Sequence, residues 1–321
     1  MKAIYTTTSL SHLYKVKTFA ETFIPLHPDV RFYVVLVEPL DAHTTAAATA
    51  LLPEANLLFP SHLPETERAS IKPDYNFFEA CCAYRPFFAD LLFSADYGVE
   101  RLIYMDSDLL QYESIEPAFA HLQQYNFLLT PHTTAPTPLS EVEHEIGMNR
   151  CGIYNAGFIG MKRSPETERF LQWWKDRMRQ LCVVELSRGL FVDQIWLNLL
   201  PLYFEGVFIE KDPGYNVAYW NFFERPLARS GNRITTKGRP LRFVHYSGLV
   251  EHDPYNITQH MREYLLRDGS LLKELFDDYR SRLARNKALF LPMQPPQLPP
   301  KYTLWQKVKR KVRPGKYRNR I

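Results

Sequence analysis

At 321 residues, 45% hydrophobic and 14% aromatic, the chain can bury a large core, which excludes disorder for most of its length. No run approaches eighteen apolar residues and no signal-peptide pattern opens the sequence, so neither a membrane span nor export is expected, and the chain reads as cytoplasmic. The net charge of +4 is unevenly placed: nine cations and no acid fall in residues 301–321, which leaves residues 1–300 at −5.

Residues 3–8 read as a strand, 13–23 as a helix closed by Pro25, and 30–37 as the strongest strand of the chain. Strand, helix, strand at this spacing opens a parallel α/β sheet with a right-handed crossover. Ligands gather beyond the carboxyl ends of such strands, where Thr6, Thr7 and Glu38 lie. Residues 41–72 hold a helix and a short strand with proline joints, and 77–92 have helical spacing. Pro86 predicts a start or kink near Tyr84, and Arg85 reads either as a surface cation or as the partner of a ligand or carboxylate. Vicinal Cys81 and Cys82, with Cys151 and Cys182, have neither disulfide-framework nor zinc spacing and read as reduced core thiols.

The apolar run 102–105 is a strand buried on both faces, and it stops at Asp106-Ser107-Asp108. At a strand end, Asp-x-Asp can turn both carboxylates toward one hard cation; the alternative is a solvated turn. Residues 125–130 are a further strand, and 131–149 a polar, proline-punctuated loop long enough to be a lid. The strand 151–161 carries Asn155, Ala156, Gly157 and Gly160, and glycine inside a strand marks close approach of a ligand or another backbone. Ser164 caps a helix that starts at Pro165, on which Trp173 and Trp174 read as packing residues. A helix is expected over 190–200 with Asp193 and Gln194 at its head, and strands over 206–210 and 242–246 flank an aromatic, amide-rich loop at 212–221. His245, at a strand end, is either a packed core histidine or a third metal ligand, since imidazole suits manganese beside carboxylates.

Residues 261–288 form one or two amphipathic helices, and the proline-rich stretch 291–300 is a stiff linker in which no helix is expected. In 303–313, Leu304, Trp305, Val308 and Val312 fall at helical spacing among lysines and arginines. Such a segment lies on an anionic membrane surface, or else stays a solvated tail. The domain reading is therefore a catalytic body over 1–288, with halves at about 1–125 and 126–260 and helices at 261–288, a linker at 289–300, and a basic tail at 301–321.

Taken in order, Asp106-Ser-Asp108, Tyr154-Asn-Ala-Gly-Phe-Ile159, Phe191-Val-Asp-Gln-Ile-Trp-Leu-Asn198 and Phe243-Val-His-Tyr-Ser-Gly248 resemble the bacterial glycosyltransferases of family 8 type. The resemblance covers about residues 3–250. It implies the GT-A fold, a Rossmann-like, mainly parallel sheet flanked by helices, here with a C-terminal helical and basic extension. It also implies a nucleotide-sugar donor, Mn²⁺ or Mg²⁺ held by Asp106, Asp108 and His245, and a sugar pocket lined by Asn155, Ala156, Gly157, Asp193 and Gln194. Asp193 and Gln194 would be the catalytic pair, while Thr6, Thr7, Ser107 and Gly248 would contact the donor. The family retains anomeric configuration, which makes front-face attack the expected course; an inverting course would need Asp193 or Glu145 as base. Two positions depart from the pattern. Thr7-Thr-Ser-Leu10 replaces the usual uracil-binding segment, and Leu249-Val-Glu251 stands where a lysine commonly follows His-x-x-Gly, which leaves diphosphate neutralisation to the metal and Arg85.

A glycosyltransferase with a glycan or lipid-linked acceptor accounts for all these segments. A sugar nucleotidyltransferase would open with a glycine- and basic-rich phosphate loop, absent from 5–17. A nucleic-acid-binding protein is disfavoured by the acidic body, so no nucleic acid is expected.

Overall fold

The computed structural model describes residues 1–261, 264–293 and 319–320. In chain order the strands that matter here are β1 (Lys2–Thr8), β2 (Arg31–Leu36), β3 (Ala55–Leu58), β4 (Arg101–Met105) and β5 (Leu109–Gln111). They are followed by β6 (Phe127–Pro131), β7 (Tyr154–Lys162), β8 (Val207–Ile209) and β9 (Phe243–His245). The helices are α1 (Leu13–Phe23), α2 (Phe77–Phe93), α3 (Glu116–Gln124), α4 (Glu143–Cys151), α5 (Pro165–Met178) and α6 (Leu271–Phe290).

Seven strands make one sheet in the order β8-β6-β7-β4-β1-β2-β3, in which β7 alone runs antiparallel to its neighbours. Successive side chains of a strand leave on opposite faces. Ile4, Val34, Ile103 and Leu128 accordingly pack under α1, α3 and α6, while Tyr5, Val35, Tyr104 and Leu129 pack under α2 and α5. Burial on both faces is why these strands read as unbroken apolar runs. The reversal of β7 decides where chemistry can gather, because it brings the start of β7 beside the ends of β4 and β6. β5 and β9 pair antiparallel beyond the main sheet, with His245 opposite Leu109.

Several expectations are corrected. α2 does not start near Tyr84: a reciprocal cap between Asn76 and Glu79 starts it earlier, and burial of Phe87, Phe88 and Leu92 carries it through Pro86. Part of the 131–149 loop is helical, since Glu143 and Glu145 favour the first turn of α4 and Gly152, at φ +121°, ends it. β7 therefore begins at Tyr154 rather than at 151. Residues 190–192 are not helical; Leu190–Phe191 pair with Val184–Glu185, and after Val192 at φ +40° a 3-10 helix runs Gln194–Leu199. The proline-rich stretch also opens with a 3-10 turn, Leu291–Met293, in which Pro292 sits where its missing N–H is not needed. Residues 261–288 contribute one long helix, capped by Ser270 and running to Phe290. The expectations for 294–318, including the basic helix, lie outside the described residues.

Ser164 caps α5 through Thr167 N–H at 3.1 Å, Trp174 is buried, and all four cysteines are free. No helix among the described residues is long and apolar enough to cross a membrane.

Candidate functional site

β4 ends at Met105, and the next residue is anchored across the sheet where Asp106 N–H donates to Gly157 O at 3.0 Å. Tyr246 N–H donates to Asp108 O at 2.9 Å, which extends the β5–β9 pairing and sets His245 over both carboxylates. His245 Nε2 lies 3.0 Å from Asp108 Oδ1 and 3.7 Å from Asp106 Oδ2. The three potential ligand atoms fall within 4.8 Å of one another. Burial opposes ionisation of Asp108, but the His245 imidazole outweighs it and holds the carboxyl well below its usual range; Asp108 and Asp106 in turn raise His245 against the pull of burial.

The residues fit a divalent cation. Two carboxylates and an imidazole are a donor set for Mn²⁺ or a similar ion. The floor of the group is bare backbone: a Cβ on Gly157 would stand 2.6 Å from His245 Cε1 and 2.7 Å from Asp106 Oδ2. That is the reason for glycine inside β7.

Arg85 is a carboxylate partner, the second of its two readings. Its Nη1 donates to Asp193 Oδ2 at 2.8 Å and to Ala156 O at 3.2 Å, and its Nη2 to Asp106 Oδ1 at 2.8 Å. The guanidinium stacks on Tyr104 at 4.1 Å, and the Tyr104 hydroxyl reaches Asp106 at 2.6 Å and Thr7 Oγ1 at 3.1 Å. Arg85 is thus engaged with protein groups and buried. Lys15 of α1 is a second cation near the carboxylates. It has no side-chain hydrogen bond or ion pair among the described residues, and its charge acts on both Asp108 and Glu251. Glu251 is itself tied to Tyr14 and to Lys287.

Beside the carboxylates lies a layer of buried amides. Gln194 Oε1 accepts from Ala156 N–H at 3.0 Å and from Asn155 Nδ2 at 3.3 Å, and Gln194 Nε2 donates to Cys151 O at 3.0 Å. Asp193 precedes Gln194 at the head of the 3-10 helix, 1% exposed, its carboxyl pushed up by burial against the pull of Arg85. Asn155 also meets His132 and Asn216, and Asn216 meets His245. Trp220 stands edge-on to both His132 and His245.

The remaining candidates divide. Thr6 is fully buried on the Ile4 side of β1, away from Thr7, and Ser107 is half-buried between the carboxylates. Gly248 is a turn residue at φ +67°, where a Cβ would strike the His260 ring at 2.5 Å. Glu38 accepts from Leu10 N–H, and Glu145 from Thr137 N–H at 2.9 Å. Tyr104, His132, Lys15 and Asn216 were missed by reading the sequence. Only Asn216 had a signal there, its place in the amide-rich loop, since what joins the four is contact between distant segments.

No protein-family model matches this sequence. The chain is 29% identical over 171 residues to the uncharacterized protein YfnF of Bacillus subtilis (strain 168), an alignment taking in 53% of this chain and 56% of that protein. It is 24% identical over 286 residues to YfnD of the same organism, covering 87% of this chain and 88% of YfnD. The chain thus spans little more than half the length of YfnF and most of YfnD. Among solved structures, the galactosyltransferase LgtC in complex with donor and acceptor sugar analogues is similar at a TM-score of 0.52 and 17% identity, over 88% of this chain and 95% of LgtC. The glycosyltransferase GlyE of Streptococcus pneumoniae TIGR4 is similar at 0.51 and 15% identity, over 90% of this chain and 64% of GlyE. The fold is that of the GT-A glycosyltransferases.

Proposed function

We propose that the chain is a metal-dependent glycosyltransferase that moves a hexose from a nucleotide-sugar donor, a UDP-sugar, to a glycan or lipid-linked acceptor. The observation that carries this reading is the convergence of Asp106, Asp108 and His245 over the bare backbone of Gly157, at the carboxyl end of β4 in a GT-A sheet. A divalent ion held there supplies Lewis-acid charge to the departing diphosphate. Lys15 adds a fixed positive charge beside the phosphates, the part the sequence had given to Arg85. Gln194 holds Asn155 and Ala156 in place, and Asp193, steadied by Arg85, would line the sugar pocket with them. Asp106, Asp108 and Asp193 are each engaged by a guanidinium or an imidazole. That leaves none of the three as a ready nucleophile and favours retention by front-face attack, with the acceptor proton passing to the leaving phosphate.

The basic tail adds a setting, the cytoplasmic face of a membrane, where the enzyme would build a surface polysaccharide. Truncation after Pro300 should then release the protein from anionic vesicles while donor hydrolysis persists. Equal flotation of the full-length and truncated chains would refute the tether. The central reading is tested by incubating the protein with a panel of nucleotide sugars and Mn²⁺. One donor should be hydrolysed or transferred, and chelator should stop it; turnover undiminished in excess chelator would rule the reading out.

A further inference from the structure

A histidine presents one ring nitrogen to a cation only when the other carries the proton, so the hydrogen bond at His245 Nδ1 governs what Nε2 can do. That bond runs to Asn216 Oδ1 at 3.1 Å. An amide reads equally well in either orientation, and its direction has to be found from neighbours of fixed polarity. Here the neighbours supply it. His132 Nδ1 lies 3.0 Å from the Ile153 carbonyl, which can only accept, so Nδ1 holds the proton and His132 Nε2 is an acceptor. Burial drives the His132 imidazole down to about 4, which keeps it neutral. The atom of Asn155 facing His132 Nε2 at 3.2 Å must then be its nitrogen, Nδ2. Independently, Asn155 Oδ1 accepts from the Gly157 backbone N–H at 3.0 Å, which gives the same orientation. Asn216 therefore turns its own Nδ2 to Asn155 Oδ1, at 3.0 Å, and to Thr130 Oγ1, at 3.1 Å. Its oxygen is left for His245.

We propose that Asn216 is the positioning residue of the metal site: its Oδ1, oriented by Asn155, His132 and two backbone groups, holds a proton on His245 Nδ1, so that Nε2, which faces Asp106 and Asp108, is the nitrogen that gives up its proton when a cation binds. The inference rests on the metal reading above and adds to it a residue that touches neither metal nor sugar. Asn216 is fully buried, and its backbone is held by Asn221 Nδ2, which donates to Asn216 O at 3.0 Å. The next residue is fixed to β9, with His245 N–H donating to Val217 O at 2.8 Å, so loop and histidine move as one piece. Asn216 sits at φ +52°, in the left-handed region that asparagine, aspartate and glycine enter most readily. That restriction supplies the variants. Asn216→Asp keeps an acceptor for Nδ1–H but loses the Nδ2 donations to Asn155 and Thr130, and Asn216→Gly keeps the backbone and removes both acceptor and donors.

The test uses the full-length protein with the metal alone as probe. Dissociation constants come from the free-Mn²⁺ paramagnetic resonance signal, and the protonated nitrogen of His245 from ¹⁵N-histidine spectra of the protein loaded with diamagnetic Mg²⁺. Asn216→Gly should bind Mn²⁺ roughly 10–100-fold more weakly than wild type, and Asn216→Asp, which keeps the acceptor, should retain more of the affinity than Asn216→Gly. Wild type should carry the proton on Nδ1. Unchanged affinity in Asn216→Gly, or a wild-type proton on Nε2, overturns the proposal. Wild-type protein that takes up no Mn²⁺ removes the metal reading itself, while a ¹⁵N shift at His245 Nδ1 on going to Asn216→Gly in metal-free protein still ties Asn216 to that nitrogen, and no shift unties it.

Discussion

Arg85 and Asp193 stand 108 residues apart in the sequence and meet at 2.8 Å with both side chains shut away from solvent. A buried pair of this kind contributes little net stability, yet losing one member strands the other's charge, at about 3–5 kcal/mol. Arg85→Met should therefore lower unfolding stability by that order, and adding Asp193→Leu should recover part of the loss without restoring turnover. Urea denaturation of the two variants checks this, and a single variant as stable as wild type would contradict it.

Gly157→Ala places a methyl group where Asp106 Oδ2 and His245 Cε1 already stand. The strand can accept alanine, but the ligand group cannot. Mn²⁺ affinity should fall at least about tenfold, the scale of a disturbed ligand shell, while far-ultraviolet circular dichroism stays native. Wild-type affinity in this variant would mean that the three side chains do not close over Gly157.

Asp108→Asn removes one carboxylate charge from the candidate metal group, the one that His245 faces at 3.0 Å. Turnover should drop by two orders of magnitude or about that, the range for losing a group that stabilises developing charge. The folded state should persist, and an active Asp108→Asn enzyme would exclude the carboxylate as a ligand.

What the sequence showed and what it hid divide along a physical line. The strand of residues 102–105, α1 and the Ser164 cap depend on neighbours within a few residues, so periodicity and capping rules found them. Asp106, Asp108 and His245 were legible as a candidate group because few residue types suit a divalent cation. Arg85 was legible only as a choice between two roles, and its burial against Asp193 decided between them. Lys15, His132 and Tyr104 owe their places to the register of β1, β4 and β6 and to the docking of α1, none of which leaves a local trace.

Lys15→Met should raise the KM for the donor by roughly tenfold, as loss of one charge-assisted contact would. Mn²⁺ affinity should change far less. Steady-state kinetics over a donor series decides; an unchanged KM would remove Lys15 from the phosphate site.

Acid should act through His132, whose pKa burial lowers from 6.5 to about 4. Between those values the unfolded chain binds more protons than the folded one, so this contribution is full above pH 6.5 and is lost as pH falls toward 4, at most about 3 kcal/mol. His27, also lowered to about 4, acts in the same sense. His245 is raised and acts oppositely, stabilising below its unfolded value and losing that effect as pH rises. Comparison of His132→Gln with wild type cancels the other two: the variant should lose less stability between pH 7 and 4.5. Equal losses would mean that His132 is not held neutral.

The antiparallel pairing of Leu109–Gln111 with Phe243–His245 also orders events in time. A chain leaving the ribosome displays Asp106 and Asp108 long before the histidine that answers them. Until Tyr246 has emerged and closed onto Asp108, Arg85 answers Asp106 while Asp108 stands without its imidazole partner. A product cut short before that point holds the central strands and the Asp-x-Asp turn, yet lacks the imidazole that completes the set. A stalled translation product that ends before His245 therefore has the two carboxylates without the third member of the group.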